Sequence, residues 1–191
     1  MRMICLVRHG ETDWNKLGKV QGSTDIPLNE RGIRQAQATR DFLAGSDFDL
    51  IVASPMKRAR KTADILNEAL QLPLVEMEGF VERGFGEAEG LTRAEREAKY
   101  PSWDFPGMES WEDLVKRVML ALQDVNAKYG DKKVLLVCHG AVISAILSTI
   151  SNGEIDTENT HLVNACLSNI QFIEEKWKVH DYNLSEHLAN I

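Results

Sequence analysis

Four apolar runs in this sequence each lead into a short polar block. Residues 3–7 run into Arg8-His9-Gly10-Glu11-Thr12, and Leu50–Ala53 into Ser54-Pro55-Met56-Lys57-Arg58. A weaker run at 74–77 is followed, some residues on, by Glu82-Arg83, and Val134–Cys138 is followed at once by His139-Gly140. A neutral imidazole is a good nucleophile near pH 7, because its ordinary pKa is about 6.5. Attack on phosphorus gives a phosphohistidine, which water can later cleave. Phosphoryl transfer asks for little beyond positioning and charge stabilisation. Arginine suits that work because its planar fork grips phosphate oxygens in pairs. A departing alkoxide needs a proton, which a nearby carboxyl can give and a water can return. Two histidines, two arginines and a glutamate make a complete set for this chemistry, with no metal and no organic cofactor.

Such a set works only if the fold brings the blocks together. The pattern predicts strands at 3–7, Leu50–Ala53, 74–77, Val134–Cys138, Leu167–Ile173 and 177–179. Helices are predicted over 29–43, with Asn29 as N-cap, Ile33, Ala36, Phe42 and Leu43 as apolar positions and Gly45 past the end. Others follow at 56–70, stopped before Pro73, and at 141–150. Thr92 with Glu95 reads as a capping box for a short helix ending near Pro101. Ser110 opens a longer helix carrying Leu114, Val118, Leu122 and Val125 at helical spacing. Strands alternating with helices imply an α/β fold with a mostly parallel sheet covered on both faces. Ligands of open α/β sheets bind outside the carboxyl ends of the strands, where all four blocks would lie. Residues 83–109 break the rhythm with Gly, Pro and aromatics, and suggest a lid over that edge.

Composition narrows the possibilities. The 191 residues suit one domain over 1–191, with a lid or insertion at about 83–112. The net charge is −7 and no Lys/Arg block marks a basic face, which argues against a nucleic-acid partner. An anionic substrate must then find a local basic pocket within a negative field. No apolar stretch approaches the roughly 18 residues of a membrane span, and no signal-peptide pattern opens the chain. Cys5, Cys138 and Cys166 lie in apolar sequence at wide spacing, which suggests buried thiols in a reducing, cytoplasmic setting rather than disulfides or zinc. The pattern assigns no oligomeric state.

The blocks also resemble a known family. Arg8-His9-Gly10-Glu11-Thr12-Asp13-Trp14-Asn15 resembles the signature of the histidine phosphatase superfamily, also called phosphoglycerate mutase-like. Gln21-Gly22, then Asp25-Ile26-Pro27-Leu28 with Gly32 and Gln35-Ala36, resembles that family's next block. Ser54-Pro55 with Arg58-Ala59 and Thr62-Ala63 resembles the following one, and Glu82-Arg83-Gly84-Phe85-Gly86 with Glu89-Gly90 resembles the proton-donor block. Gly107-Met108-Glu109-Ser110 is similar to a family helix start, and His139-Gly140 to the second catalytic histidine. The blocks stand in the family's order across about 3–145, and that order carries more weight than any one of them.

The resemblance implies a three-layer α/β/α sandwich and a role for each residue. His9 would be the phosphorylated nucleophile, and Glu82 the proton donor and then the base for water. Arg8, Arg58 and His139 would clamp the transferring phosphoryl group. Asn15 and the Gln21-Gly22 turn would line the same pocket. Glu87 and Glu89 stand close enough in sequence to compete with Glu82 as the acid. Arg83 is open between substrate and surface, and Phe85, Trp103, Phe105 and Trp111 between packing the lid and lining an apolar wall. Cys138 precedes His139 where Ser, Thr or Ala is common, Phe85 stands where mutases of the family often carry Tyr, and the mutases' paired-arginine segment is not visible. These departures favour the compact broad-specificity phosphatases of the superfamily. The expected activity is hydrolysis of a small phosphorylated metabolite through phosphohistidine. The alternatives are a phosphoglycerate mutase and a non-catalytic phosphate-binding regulatory module.

Overall fold

A computed structural model describes residues 2–156 and 158–191. In chain order the elements are β1 (Arg2–Arg8), α1 (Asp13–Leu17), α2 (Glu30–Leu43), β2 (Leu50–Ala53), α3 (Lys57–Leu70), β3 (Leu74–Glu76), α4 (Arg93–Lys99), α5 (Trp111–Tyr129), β4 (Val134–Cys138), α6 (Gly140–Ile150), β5 (Leu167–Ile173) and β6 (Lys176–Leu184). The strands form one sheet in the order β3-β2-β4-β1-β5-β6. The first four in that order run parallel, while β5 pairs antiparallel with β1 and β6 antiparallel with β5. The sheet is therefore mixed, with a parallel half that carries the polar blocks.

Period-two burial gives the sheet two apolar faces. Val134, Leu136 and Cys138 of β4 join Ile4, Leu6 and Val52 in a core with Leu114, Val118 and Leu122 of α5 and Val142, Ile143 and Ile146 of α6. Leu135 and Val137 join Cys5, Val7, Ile51 and Ala53 in a second core with Leu43 of α2 and Ala59, Ala63 and Leu66 of α3. Helices on both faces make the three-layer sandwich. Each fully buried Leu or Val contributes about 1.5–3 kcal/mol relative to exposure, so a polar substitution on either face would cost most in the central strands.

The helix ends follow the capping expectations. Asn29 accepts from the Gly32 amide at the start of α2, Thr92 and Glu95 form the capping box of α4, and Ser110 caps α5. α3 has no side-chain cap of its own, and Asp25 accepts from the Lys57 amide instead at 2.8 Å. Four features differ from the sequence expectation. α1 is a five-residue helix, held by a Thr12/Asn15 capping box and ended by Gly18 in the left-handed region. β6 is nine residues long rather than three, with exposure alternating along a sheet edge. β3 stops at Glu76, one residue short of the expected end. Phe42 is 60% exposed and stacks on His187 at 5.1 Å, so it is no part of the core. No helix among the described residues is long and apolar enough to cross a membrane.

Candidate active site

The register of the sheet makes the site. β1 and β4 run parallel with Arg8 opposite Cys138, so the next residue of each strand, His9 and His139, emerge side by side. Their rings meet edge to face with centroids 5.2 Å apart. β2 ends beside β4, and Ser54 Oγ lies 2.7 Å from His139 Nε2. The His9 backbone is held on both sides. Its amide donates to the Cys138 carbonyl at 3.1 Å, and its carbonyl accepts from the Ala165 amide at 3.1 Å and Asn164 Nδ2 at 3.2 Å. The Gly10 amide donates to Thr62 Oγ1 of α3. A Cβ on Gly10 would collide with the Gly32 carbonyl, and one on Gly32 with the Glu11 carbonyl. Both positions must be glycine for the start of α2 to press against the turn after His9.

His9 is fixed in one tautomer. Its Nδ1 lies 2.7 Å from the Gly10 carbonyl, which can only accept, so Nδ1 carries the proton. Nε2 is then a lone pair. Burial pushes the His9 imidazole well below its ordinary value, and the charges of Arg58 and Arg8 push the same way. His139 is held neutral by the same causes, burial first and then Arg58. Both rings are almost wholly buried.

Two arginines lie near enough for their charge to act on both rings. Arg8 donates Nη1 to the Leu162 carbonyl. Arg58 is buried and donates Nη1 to the Thr24 carbonyl at 2.9 Å and Nη2 to the Gly22 carbonyl at 2.7 Å. Burial lowers both guanidinium pKa values, and the charge of Glu82 is the first influence opposing it. Arg8 Nε, Arg58 Nε and His139 Nδ1 are buried, and none finds a hydrogen-bond partner among the described residues. Two charged N–H donors and an imidazole nitrogen without partners are costly unless an anion takes them up.

Glu82 stands in irregular chain after β3. Its carboxylate accepts from the Arg83 amide at 2.9 Å and from the Ala141 amide, in the first turn of α6, at 3.2 Å. The competing carboxylates are occupied elsewhere. Glu89 accepts from the Ser23 amide, the Thr24 hydroxyl and the Phe85 amide, and Glu87 from the Tyr100 hydroxyl. Gly22 adopts φ 55° against the Glu89 carboxylate, where a side chain would have neither the conformation nor the room. Gln21 is buried and accepts from Thr12 Oγ1 at 2.6 Å. Asn15 Oδ1 accepts from the Thr12 amide and from Asn164 Nδ2. Asn15, Gln21 and Gly22 therefore frame the His9 turn and the Arg58 side chain.

Arg83 donates Nε to the Glu109 carbonyl at 2.8 Å, and its guanidinium lies over Phe85 and Trp111 at 5.4 and 5.8 Å from the ring centres. With Trp103, Ala141, Ser144 and Glu158 these side chains line a cavity of about 760 Å³. Phe105 is the aromatic of this segment that packs, at 4% exposure. Sequence reasoning left out Ser54, Thr62 and Asn164, which touch His139, Gly10 and His9. Ser54 and Thr62 lay in the quoted blocks, whereas Asn164 lies in a loop with no motif. Among the described residues, no three His, Cys, Asp or Glu side chains come together as a metal site.

The sequence profile of the histidine phosphatase superfamily (branch 1) matches residues 4–185. The chain belongs to that superfamily. It is 53% identical to the protein named uncharacterized phosphatase PhoE of Bacillus subtilis (strain 168), over 99% of this chain and 98% of that one. A crystal structure of a phosphoserine phosphatase mutant from Entamoeba histolytica in complex with phosphoserine superposes with a TM-score of 0.87 at 31% identity, covering 98% of this chain and all of that one. A probable phosphoglycerate mutase, GpmB of Proteus mirabilis (strain HI4320), is 28% identical over 93% of this chain and 88% of its own.

Proposed function

We propose that this chain is a metal-independent phosphatase that hydrolyses small phosphate monoesters through a phosphohistidine on His9. The observation that carries this reading is the His9 ring itself. Its Nδ1 proton is tied to Gly10, its Nε2 lone pair is free, and buried nitrogens of Arg8, Arg58 and His139 stand unpartnered around it. In the first step His9 Nε2 bonds to phosphorus, the phosphorus–oxygen bond to the alcohol breaks, and the leaving oxygen takes a proton from the Glu82 carboxyl. In the second, a water gives its proton to the Glu82 carboxylate and its oxygen bonds to phosphorus. The nitrogen–phosphorus bond then breaks and inorganic phosphate leaves. Arg8, Arg58 and His139 hold the equatorial oxygens, where charge accumulates in both transition states. Asn15 and the Gln21-Gly22 turn keep the His9 loop and Arg58 in place.

Residues 83–112 act as the lid, and the cavity beneath Phe85, Trp103 and Trp111 takes the organic part of the ester. The substrate is then a small phosphorylated metabolite. We place the reaction in the cytoplasm, where the three buried thiols stay reduced. Phosphatase names among the relatives support hydrolysis over isomerisation, and so does the Phe85 position.

Brief incubation with a 32P-labelled monoester tests the mechanism. The expected result is an acid-labile, base-stable label on the parent and none on His9→Ala. If His9→Ala keeps parental activity, the mechanism is wrong. Parallel assays for phosphate release and for 3- to 2-phosphoglycerate conversion separate the mutase reading, and isomerisation much faster than release would replace hydrolysis. Because His9 is held neutral, the acid limb of the activity profile should lie below the ordinary histidine pKa of about 6.5.

A further inference from the structure

Arg117, on α5, engages all five guanidinium N–H donors, three of them on the segment that carries Glu82 and two on Glu109. Nη1 donates to the Gly79 carbonyl at 3.0 Å and the Val81 carbonyl at 2.8 Å, and Nη2 to the Glu82 carbonyl at 3.2 Å. The remaining Nη2 and Nε donors form a bidentate pair with the Glu109 carboxylate at 2.9 and 2.8 Å. Glu109 closes the arrangement from the other side. Its amide donates to the Gly84 carbonyl at 2.8 Å, and its carbonyl accepts from Arg83 Nε. Phe80, fully buried against Leu114 and Val118, anchors the same stretch from below. Residues 79–84 are thus fixed at nearly every peptide, although no sheet or long helix contains them.

A structural explanation accounts for part of this: carbonyls in irregular chain need partners. It does not account for the concentration. Within 79–84, Glu82 is the one residue whose side chain enters the phosphoryl-transfer reading, and Arg117 bonds its own carbonyl. A carboxyl that must meet the leaving oxygen within about 3 Å needs a fixed backbone, since misplacement by about 1 Å can cost a hundredfold. We propose that Arg117, locked by Glu109, is a positioning residue that sets the reach of the Glu82 carboxyl toward the leaving-group oxygen. The proposal rests on the reading of Glu82 as the general acid.

The test uses a leaving-group series and reads kcat/KM, which reports the phosphorylation half-reaction. 2,4-Dinitrophenyl phosphate leaves without help from an acid, whereas glycerol phosphate needs a proton. Glu82→Gln should lose about 10²- to 10⁴-fold on glycerol phosphate and little on the dinitrophenyl ester. Arg117→Gln, Arg117→Lys and Glu109→Gln should follow the same pattern at about 10- to 100-fold, with inhibition by inorganic phosphate unchanged. Glu82→Gln combined with Arg117→Gln should be no slower than Glu82→Gln alone, because Arg117 acts through Glu82. If Glu82→Gln loses equally on both esters, the general-acid reading falls and takes this proposal with it. If Glu82→Gln is selective but the Arg117 and Glu109 variants lose equally on both esters, or on neither, the positioning proposal alone is overturned. Should Arg117→Gln not fold, Arg117→Lys and Glu109→Gln decide, since each breaks the bidentate fork with little change in bulk.

Discussion

His9 and His139 stand at the ends of two adjacent parallel strands at 1% and 0% exposure, whereas Trp103 and Trp111, across the opening, are 57% and 36% exposed. The first pair is positioned by sheet register, and the His9 main chain is bonded both to Cys138 of β4 and to Asn164 and Ala165. The second pair rides on loops and a helix start, held by stacking and by cations over rings: Arg96 over Trp103 at 4.6 Å, and Arg83 over Trp111 at 5.8 Å. On the proposed reading the difference separates two jobs. A phosphoryl group has one shape, and a grip built into the core would suit it. The organic part of an ester varies, and a wall of side chains that can shift without disturbing the sheet would suit that.

The largest effects should come from the buried side. His9→Ala should lower kcat by about 10⁴-fold or more and abolish the phosphoenzyme, measured by phosphate release and by acid-labile label. Arg58→Met should lower kcat/KM by about 10²- to 10³-fold, because a charged donor to the transferring group is lost. It should also destabilise the fold by about 2–4 kcal/mol, since the Gly22 and Thr24 carbonyls lose their partners. Urea unfolding of the variant checks the second number. Retained activity would mean that the phosphoryl group sits elsewhere.

The same contrast decided what the sequence reveals. Asn29, Thr92 and Ser110 are legible as caps because a cap is a local bond between residues three apart. The strand ends at Arg8, Ala53 and Cys138 are legible because apolar runs stop there. Glu82 is different. It lies between β3 and α4 in chain with no period, so the polar-block pattern brought it in only loosely and its role as the acid came from the family resemblance. The structure adds the physical reason to prefer it, since Glu89 and Glu87 are committed to Ser23, Thr24, Phe85 and Tyr100. Asn164 and the Leu162 carbonyl touch Asn15, His9 and Arg8 across some 150 positions of chain, and nothing local marks them. Arg117 reads as one more polar residue of an amphipathic helix, and its three bonds to Gly79, Val81 and Glu82 exist only once 79–84 folds back onto α5. Phe42 differs for the opposite reason: its spacing fits the apolar stripe, but the buried face of α2 runs through Gly32, Gln35, Ala36, Thr39 and Leu43 and leaves Phe42 exposed, stacked on His187.

Stability against pH should also divide the two regions. His9 and His139 are held neutral by burial and by nearby arginines, so their folded pKa values lie below the unfolded one. Above about pH 6.5 both states are neutral and no penalty arises. As pH falls below that point the unfolded chain takes up protons that the folded one refuses, and stability declines until the folded values are passed. Two such histidines give a slope approaching about 2.7 kcal/mol per pH unit. Urea unfolding of the parent at pH 7.5, 6.5 and 5.5 should show the decline, and His9→Asn should remove about half of it. Trp111→Ala should leave the slope unchanged. A parent stability flat from pH 7.5 to 5.5 would contradict the neutral buried pair.

The smallest expected effect is on the exposed side, and it discriminates best between wall and core. Trp111 is the first residue of α5 and lies against the Arg83 guanidinium. Trp111→Ala removes an aromatic face from the cavity and about 0.5–1 kcal/mol of cation–π contact with Arg83. Because Trp111 is partly exposed already, unfolding stability should change by less than about 1 kcal/mol. kcat/KM for an ester with a bulky organic group should fall by about 3- to 10-fold, while inorganic phosphate should inhibit as strongly as before. Measured side by side, the two constants separate the wall from the grip. If phosphate affinity falls together with activity on the bulky ester, Trp111 supports the phosphoryl site itself. The division between a rigid strand-end grip and an adaptable wall would then have to be redrawn.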